Sequence, residues 1–173
     1  MNTIELTDAL ARMQADERYQ RNLDWGQPRA GHPEGTVRAH IAELEQNLHQ
    51  LSSRLSSEET AKLQILIHIH DSFKADARRG VAIADPRSHA SLAAAFLSEF
   101  IDDADLVAMV QWHDEPFALW KQLKRSGSCD AQRFAHLLAA VENWKLFSAF
   151  LLVDNCTAGK SLEPLKWFFG EIH

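Results

Sequence analysis

The chain has 173 residues, of which 46% are hydrophobic, and its formal net charge is −6 with histidine counted as neutral. This length suits one domain with a sizeable core, here residues 1–173 with a centre at about 31–160, an N-terminal helix and loop over 1–30 and a C-terminal helical piece over 161–173. The acidic balance argues against an extended nucleic-acid surface, because surfaces that bind the phosphate backbone are usually basic.

The cysteine pattern and the apolar runs bear on the compartment. Cys129 and Cys156 are far apart and form no CxxC spacing, which indicates neither a disulfide framework nor a thiolate zinc site. The N-terminal segment lacks the apolar core of a signal peptide, and the late apolar run 149–153 is too short to span a bilayer. We therefore expect a cytoplasmic protein without a membrane segment.

The sequence of the N-terminal third of the chain predicts a short helix, a long loop and a longer helix. Residues 3–13 carry an approximate apolar stripe, whereas residues 16–35 contain several Gly and Pro residues and no sustained period. Long loops of this kind often border functional sites. Thr36 can cap the next helix, whose apolar residues recur at three- and four-residue steps, and this spacing puts His40 on the buried stripe.

An apolar segment at 63–74 ends abruptly in the adjacent residues His70 and Asp71. The Ser-Ser-Glu-Glu stretch at 56–59 predicts the start of the helix that carries them, so the pair falls near its C-terminal end. An imidazole beside a carboxylate where water is scarce suits a divalent metal better than it suits a core.

Later helices repeat this placement. A helix that begins near Ser88 has His89 in its first turn, and a helix that begins at 102–103 runs into His113. After the break at 126–128, apolar residues at helical spacing predict one long helix from about Asp130 to residue 153, with Asp154 directly after it. A terminal amphipathic helix follows. No segment shows strand-like alternation, so the predicted fold class is all-α, a compact multi-helix bundle.

Six nitrogen and oxygen donors thus lie on buried faces or at the ends of predicted helices: His40, His70, Asp71, His89, His113 and Asp154. Such a set can hold two divalent first-row metals, with a carboxylate such as Asp71 bridging them. The absence of thiols favours iron, manganese or related ions over structural zinc.

The order of these donors resembles the H…HD…H…H…D signature of the HD-domain superfamily over residues 31–160. The His-Pro-Glu-Gly stretch at 32–35 resembles the opening of HD domains attached to tRNA nucleotidyltransferases, and Lys74 matches the HDxxK lysine of several branches. No Gly-Tyr-Pro motif follows His113, and Thr36 lies where the cyclic-dinucleotide branch often has a glutamate ligand. Cyclic di-GMP is therefore not the expected substrate.

The resemblance implies an HD-type bundle and a metal-dependent phosphohydrolase that acts on a small phosphorylated metabolite or nucleotide. It implies one metal at His40, His70, Asp71 and Asp154, and a second metal that His89 and His113 bind. Asp71 and Lys74 are the implied catalytic residues, with a metal-activated water as the nucleophile and Lys74 as a phosphate contact.

Two neighbouring residues are candidates for substrate binding. Arg78 can extend a positive rim after Lys74, and Trp112 can line the pocket wall beside His113. Asp114 is interpreted as part of an acidic helix-end loop. Five histidines fall outside the pattern: His32, His49, His68, His136 and His173.

The same donors are compatible with two other functions. One is an HD-type di-iron oxygenase in which Lys74 and nearby arginines bind an anionic group of the substrate. The other is a non-catalytic helical module that keeps the donors for structure or for sensing a nucleotide. The sequence leaves open the choice among these functions, the metal and the oligomeric state.

Overall fold

The structure is a computed structural model that describes residues 1–172, so His173 lies outside the described residues. Its helices are α1 Thr3–Ala15, α2 Glu17–Gln20, α3 Val37–Leu51, α4 Ser57–Ile69, α5 His89–Ser98, α6 Ala104–Trp112, α7 Glu115–Ser126, α8 Ala131–Ala140, α9 Trp144–Asn155 and α10 Glu163–Ile172, with a 3₁₀ turn Ser52–Arg54 after α3. Within residues 1–172, β pairing is limited to two isolated bridges, Gly26 with Thr36 and Arg29 with His32. The predicted all-α fold class is confirmed.

Helix α4 is the centre of the hydrophobic core. Its aliphatic residues are fully buried over most of the helix circumference: Leu63, Ile65, Leu66, Ile67 and Ile69. A helix with so wide an apolar surface must be covered on several sides, and α1, α3, α6 and α9 pack against α4. Each buried aliphatic side chain stabilises the fold by about 1.5–3 kcal/mol. This packing fixes the C-terminal end of α4, where His70 and Asp71 follow.

Side-chain caps start three helices at the predicted positions. Ser56 accepts a hydrogen bond from the Glu59 backbone N–H at 3.1 Å, and the Glu59 carboxylate accepts one from the Ser56 N–H at 2.8 Å, which completes a capping box for α4. Ser88 caps α5 and Asp103 caps α6. Caps of this type stabilise by about 1 kcal/mol each, and here they set the starts of helices whose ends carry donors.

The prediction of one long helix over 130–153 is wrong, because the chain bends by 112° between α8 and α9. The Asp105 carboxylate accepts hydrogen bonds from the backbone N–H groups of Glu142 at 2.7 Å and Asn143 at 3.0 Å. Asn143 in turn caps α9 by accepting from the Leu146 N–H at 3.0 Å. These side chains satisfy amides that a continuous helix would bond internally, so the chain turns and α9 packs against α3 and α4.

Helix α7 has no counterpart in the sequence analysis. It begins at Glu115 with Pro116 in its first turn, and it ends at Gly127, which has a φ of 78°. Glycine adopts this left-handed conformation at low cost, which suits the position after a helix. Helix α7 packs against α8 and α10 and borders the cavity described below.

No single helix within residues 1–172 is both long and apolar enough to cross a bilayer. Helices α8 and α9 meet that criterion only when they are taken together as a bent pair.

Candidate metal centre

The structure brings all six predicted donors together beside the C-terminal end of α4. His40 lies in the first turn of α3, and His70 and Asp71 follow α4 directly. His89 is the first residue of α5, and His113 follows α6. Asp154 lies in the last turn of α9. The donors form two groups, each with its ligand atoms within 4.8 Å of one another: His40 with His70 and Asp154, and Asp71 with His89 and His113. Either group can hold a metal ion.

The first group is centred on one carboxylate oxygen of Asp154. His40 Nε2 lies 3.0 Å from Asp154 Oδ1, and His70 Nε2 lies 3.7 Å from the same oxygen. Both histidines are almost fully buried. The three donor atoms therefore face a common small volume.

Asp71 lies between the two groups and presents one oxygen to each. Its Oδ1 is 3.5 Å from His113 Nε2 and 3.6 Å from His89 Nε2. Its Oδ2 is 3.5 Å from His70 Nε2. This is the arrangement that a carboxylate bridging two cations requires.

The local backbone sets which ring nitrogen of two histidines faces the site. His70 Nδ1 donates a hydrogen bond to the Leu66 carbonyl at 3.0 Å, and His113 Nδ1 donates to the Val110 carbonyl at 2.8 Å. Both residues follow the last turn of a helix, so their Nδ1 atoms lie beside carbonyl groups of that turn. A neutral imidazole carries one N–H, so in the neutral form of each ring the Nε2 lone pair faces the site. Burial lowers the pKa of His113, but the charges of Asp114 and Asp71 raise it to about 8, so at neutral pH this ring has to lose its Nε2 proton when a cation binds.

Two buried donor atoms have no hydrogen-bond partner, namely His70 Nε2 and Asp71 Oδ1. A buried polar atom that stays unpaired costs about 1–3 kcal/mol, and such atoms are rare in folded proteins. A divalent cation would satisfy both atoms at once. The donor set, which contains nitrogen and oxygen but no sulfur, therefore fits a divalent first-row metal.

The charge states of the buried groups also suit a cation. Burial lowers the pKa of His70, so its ring stays neutral with a free lone pair. Burial acts to raise the pKa of Asp71 and Asp154, but Lys74 beside Asp71 and Lys160 beside Asp154 bring both values well below the usual range. Both carboxylates are thus ionised at neutral pH.

Two lysines line the same cavity as the donors. Lys74 forms an ion pair with Asp71 Oδ2. Burial lowers the pKa of Lys74, but the charges of Asp71, Asp114 and Asp154 together raise it above its usual value, so the ammonium stays protonated. Lys160 Nζ lies 2.9 Å from Asp154 Oδ1 and donates to the Asp154 carbonyl at 2.9 Å. Lys160 is absent from the sequence-predicted residues, because it lies in a loop without periodicity.

Four of the six donors, His70, Asp71, His113 and Asp154, form the floor of a cavity of about 490 Å³, a volume within the range of small-molecule sites. One wall is apolar and includes Phe117 and Trp120 of α7 together with Leu165 of α10. The rings of Phe117 and Trp120 are stacked, with their centroids 6.0 Å apart and their planes 17° apart. Phe117 remains 45% exposed, so part of this wall is open to a ligand.

The two residues predicted to bind substrate lie away from this cavity. Trp112 packs edge-on against His136 with ring centroids 4.9 Å apart, because adjacent residues on a helix point about 100° apart and His113 takes the direction towards the donors. Arg78 is exposed, and its backbone N–H bonds to the Arg87 carbonyl at 2.8 Å. The chain has left the site four residues after Lys74.

Asp114 lies at the site, contrary to the interpretation of its segment as a solvated helix-end loop. Its Oδ2 is 3.3 Å from His89 Nε2, and the residue lines the cavity. In the sequence, the feature that could have indicated this location is the position of Asp114 directly after His113. The next residue, Glu115, faces elsewhere and pairs with Arg133 through two 2.7 Å hydrogen bonds.

Comparison of the chain with protein-family models, curated proteins and solved structures finds no match. The resemblance to HD domains therefore rests on the identity and order of the donor residues in the sequence.

Proposed function

We propose that the protein is a metal-dependent phosphohydrolase of the HD type that acts on a small phosphorylated metabolite or nucleotide. The observation that supports this most is the position of Asp71, which presents one oxygen to each histidine-containing donor group. Phosphate-ester hydrolysis benefits from two cations held at a bridging ligand, because one side can serve the attacking oxygen and the other the leaving oxygen.

One cation would be held by His40, His70, Asp71 and Asp154, and a second by Asp71, His89 and His113. Such ions supply a water of lowered pKa and neutralise the charge on a phosphoryl oxygen. The chain's own contribution is to hold six donors at the ends of five packed helices, which orients them before a ligand binds.

The two cavity lysines provide the anion-binding part of the site. The ammonium groups of Lys74 and Lys160 are held beside Asp71 and Asp154, and both residues line the cavity. An incoming phosphate can share these charges, because each ammonium has three donors and the aspartates do not use them all. The lysines thus favour an anionic substrate over a neutral one.

The aromatic wall accounts for the organic part of the substrate. Phe117 and Trp120 offer a flat apolar surface beside a strongly polar floor. A cavity with a polar floor and an apolar wall suits a small molecule that carries phosphate at one end and an apolar or planar group at the other.

The proposal is tested by assaying purified protein loaded with Mn²⁺ or Fe²⁺ against a panel of phosphate monoesters. Asp71→Asn should lower turnover by about 10²–10³-fold, since it removes the charge shared by both donor groups. Asp102→Asn, which changes an exposed carboxylate near the end of the α5–α6 loop, is the matched control and should keep wild-type turnover. Metal-loaded wild type that releases no phosphate above the Asp71→Asn background would refute the proposal.

A second candidate is an HD-type di-iron oxygenase, which the sulfur-free donor set of four histidines and two carboxylates also suits. Iron-loaded protein that consumes oxygen in the presence of an anionic substrate, and releases no phosphate from any ester, would favour this function.

A further inference from the structure

A third group of possible metal ligands combines His32 and Glu34 of the loop before α3 with His40 of α3, which also belongs to the first donor group. His32 Nδ1 lies 2.9 Å from Glu34 Oε1, and His40 Nδ1 lies 3.0 Å from the same oxygen. The Glu34 side chain is only 9% exposed although it belongs to a loop. A buried loop carboxylate between two histidines needs a physical reason.

Two atoms in this group are buried without a well-aligned hydrogen bond, namely His40 Nδ1 and Glu34 Oε2. His40 Nδ1 is a ring nitrogen that can carry a proton, and it lies 3.0 Å from the other carboxylate oxygen, Glu34 Oε1. It can donate to that oxygen only when the proton of the His40 ring resides on Nδ1.

Without a bound cation, the hydrogen bond of the other ring nitrogen keeps the proton of His40 off Nδ1. His40 Nε2 is hydrogen-bonded to Asp154 Oδ1 at 3.0 Å, and because a carboxylate only accepts, this bond requires the proton on Nε2. Nδ1 then presents a lone pair to the Glu34 carboxylate, which is unfavourable. Nε2 can bind a cation only after it has lost its proton. The ring proton then lies on Nδ1, where the Glu34 carboxylate can accept it.

His40 has a different neighbour from the other two histidines. His70 Nδ1 and His113 Nδ1 donate to carbonyl groups at the ends of α4 and α6. His40 Nδ1 makes no such bond to a carbonyl and instead lies 3.0 Å from the Glu34 carboxylate. Glu34 is therefore in place to accept the proton of this ring nitrogen.

The loop geometry brings Glu34 back to this position. Gly35, directly after it, has a φ of 84°, and a Cβ at Gly35 would lie 2.8 Å from Pro28 Cδ. The turn is thus available to glycine alone without a shift of the loop.

We propose that Glu34 is a positioning residue for the metal centre. It accepts the Nδ1 proton of His40, holds the ring in the tautomer whose Nε2 lone pair faces His70 and Asp154, and is itself held by His32. This inference rests on the metal site of the proposed function, but it does not depend on which reaction that site catalyses. A histidine that binds a metal commonly donates its other N–H to a carboxylate in this way, and loss of such a partner typically lowers metal affinity 10–100-fold.

The test is the Mn²⁺ affinity of full-length protein, measured by competition with a chelator. Glu34→Ala should weaken binding by about 10–100-fold. Glu34→Gln keeps an amide oxygen that can accept the Nδ1 proton, so it should recover most of the affinity. The matched control is Glu43→Ala on α3, because Glu43 accepts from the Ala158 N–H at 2.7 Å and bonds to no donor of the metal centre. It should leave the affinity unchanged.

A second measurement covers the case in which Glu34→Ala does not fold. Side-chain ¹⁵N shifts of wild-type protein with bound Zn²⁺ should show the His40 proton on Nδ1, and an unprotonated Nδ1 would overturn the inference. Equal affinities of Glu34→Ala and wild type would overturn it too. The inference would also be overturned if Glu34→Ala lost one metal equivalent and kept its affinity for the remaining metal. His32, Glu34 and His40 would then themselves bind an ion.

These outcomes separate the inference from the proposed function. If Glu34→Ala loses metal affinity while the wild type hydrolyses no phosphate ester, the positioning role stands and the phosphohydrolase proposal fails. If the affinity of Glu34→Ala is unchanged in a protein that hydrolyses phosphate esters, only the positioning role fails.

Discussion

Nε2 of His113 lies 3.5 Å from Oδ1 of Asp71, and the other oxygen of Asp71 lies 3.5 Å from His70 Nε2. Asp71 is thus the one carboxylate among the six predicted donors that both groups share. If each group holds its own cation, substitutions should separate the groups.

We predict that His113→Ala and Asp154→Asn each remove one equivalent of bound metal, whereas Asp71→Asn weakens both sites. The reason is that His113 and Asp154 each belong to a single group. Elemental analysis of protein dialysed after loading with Mn²⁺ gives the stoichiometry, with Asp102→Asn as the control. A His113→Ala protein that loses all of its metal would contradict two separable sites.

Lys74→Met should raise KM for phosphate monoesters by about 10–100-fold, since a hydrogen bond to a charged group contributes about 1.5–3 kcal/mol. Methionine keeps the apolar length of the side chain and removes the ammonium that pairs with Asp71. Lys62→Met is the matched control, because Lys62 pairs with Glu58 and Asp103. Steady-state kinetics provide the measurement, and an unchanged KM in Lys74→Met would remove Lys74 from substrate binding.

The donors of the metal centre could be predicted from the sequence because each one interrupts or ends an apolar helical pattern. His70 and His113 mark such ends directly. Asp154 was placed correctly even though its helix was predicted to be far too long, since the helical period near the end of α9 is unaffected by the bend after α8. The bend itself depends on Asp105, which is distant in sequence and gives no local signal.

The walls of the cavity could not be predicted in the same way. Phe117 and Trp120 lie on α7, whose mixed composition gave no clear pattern, and Lys160 lies in a loop. Trp112 was chosen because it precedes His113 in the sequence, but neighbours in a helical sequence point in different directions. Pocket walls depend on how helices pack, and this is a long-range property that local patterns do not encode.

Trp120→Ala should raise KM about 10–100-fold for esters that carry an aromatic group, because contact with a large aromatic side chain contributes on the order of 1.5–3 kcal/mol. KM for a small aliphatic ester should change little, since such a substrate does not reach the aromatic wall. Trp112→Phe is the control, because Trp112 packs against His136 away from the cavity. Equal effects of Trp120→Ala on both ester types would argue against a substrate contact at this wall.

The single tyrosine of the chain allows a direct test of the packing between α2 and α4. The Tyr19 hydroxyl lies 2.6 Å from His68 Nδ1, and the side chain is 3% exposed. Burial raises the pKa of Tyr19 from 10.0 to about 12; the Arg38 charge lowers it slightly and the Glu45 charge raises it. His68 thus has a partner in the core, in agreement with its exclusion from the predicted metal ligands.

The direction of the pH effect follows from this raised pKa. Below pH 10 the phenol is neutral in both the folded and the unfolded chain, so its contribution to stability is complete. As the pH rises from 10 towards 12 the unfolded chain ionises first, and the free energy of unfolding falls by roughly 2–3 kcal/mol. The phenolate absorbance of native protein should therefore titrate near pH 12, and that of protein in denaturant near pH 10. Tyr19→Phe should lack this part of the alkaline loss of stability, and a native midpoint near pH 10 would show that the hydroxyl is solvated rather than buried against His68.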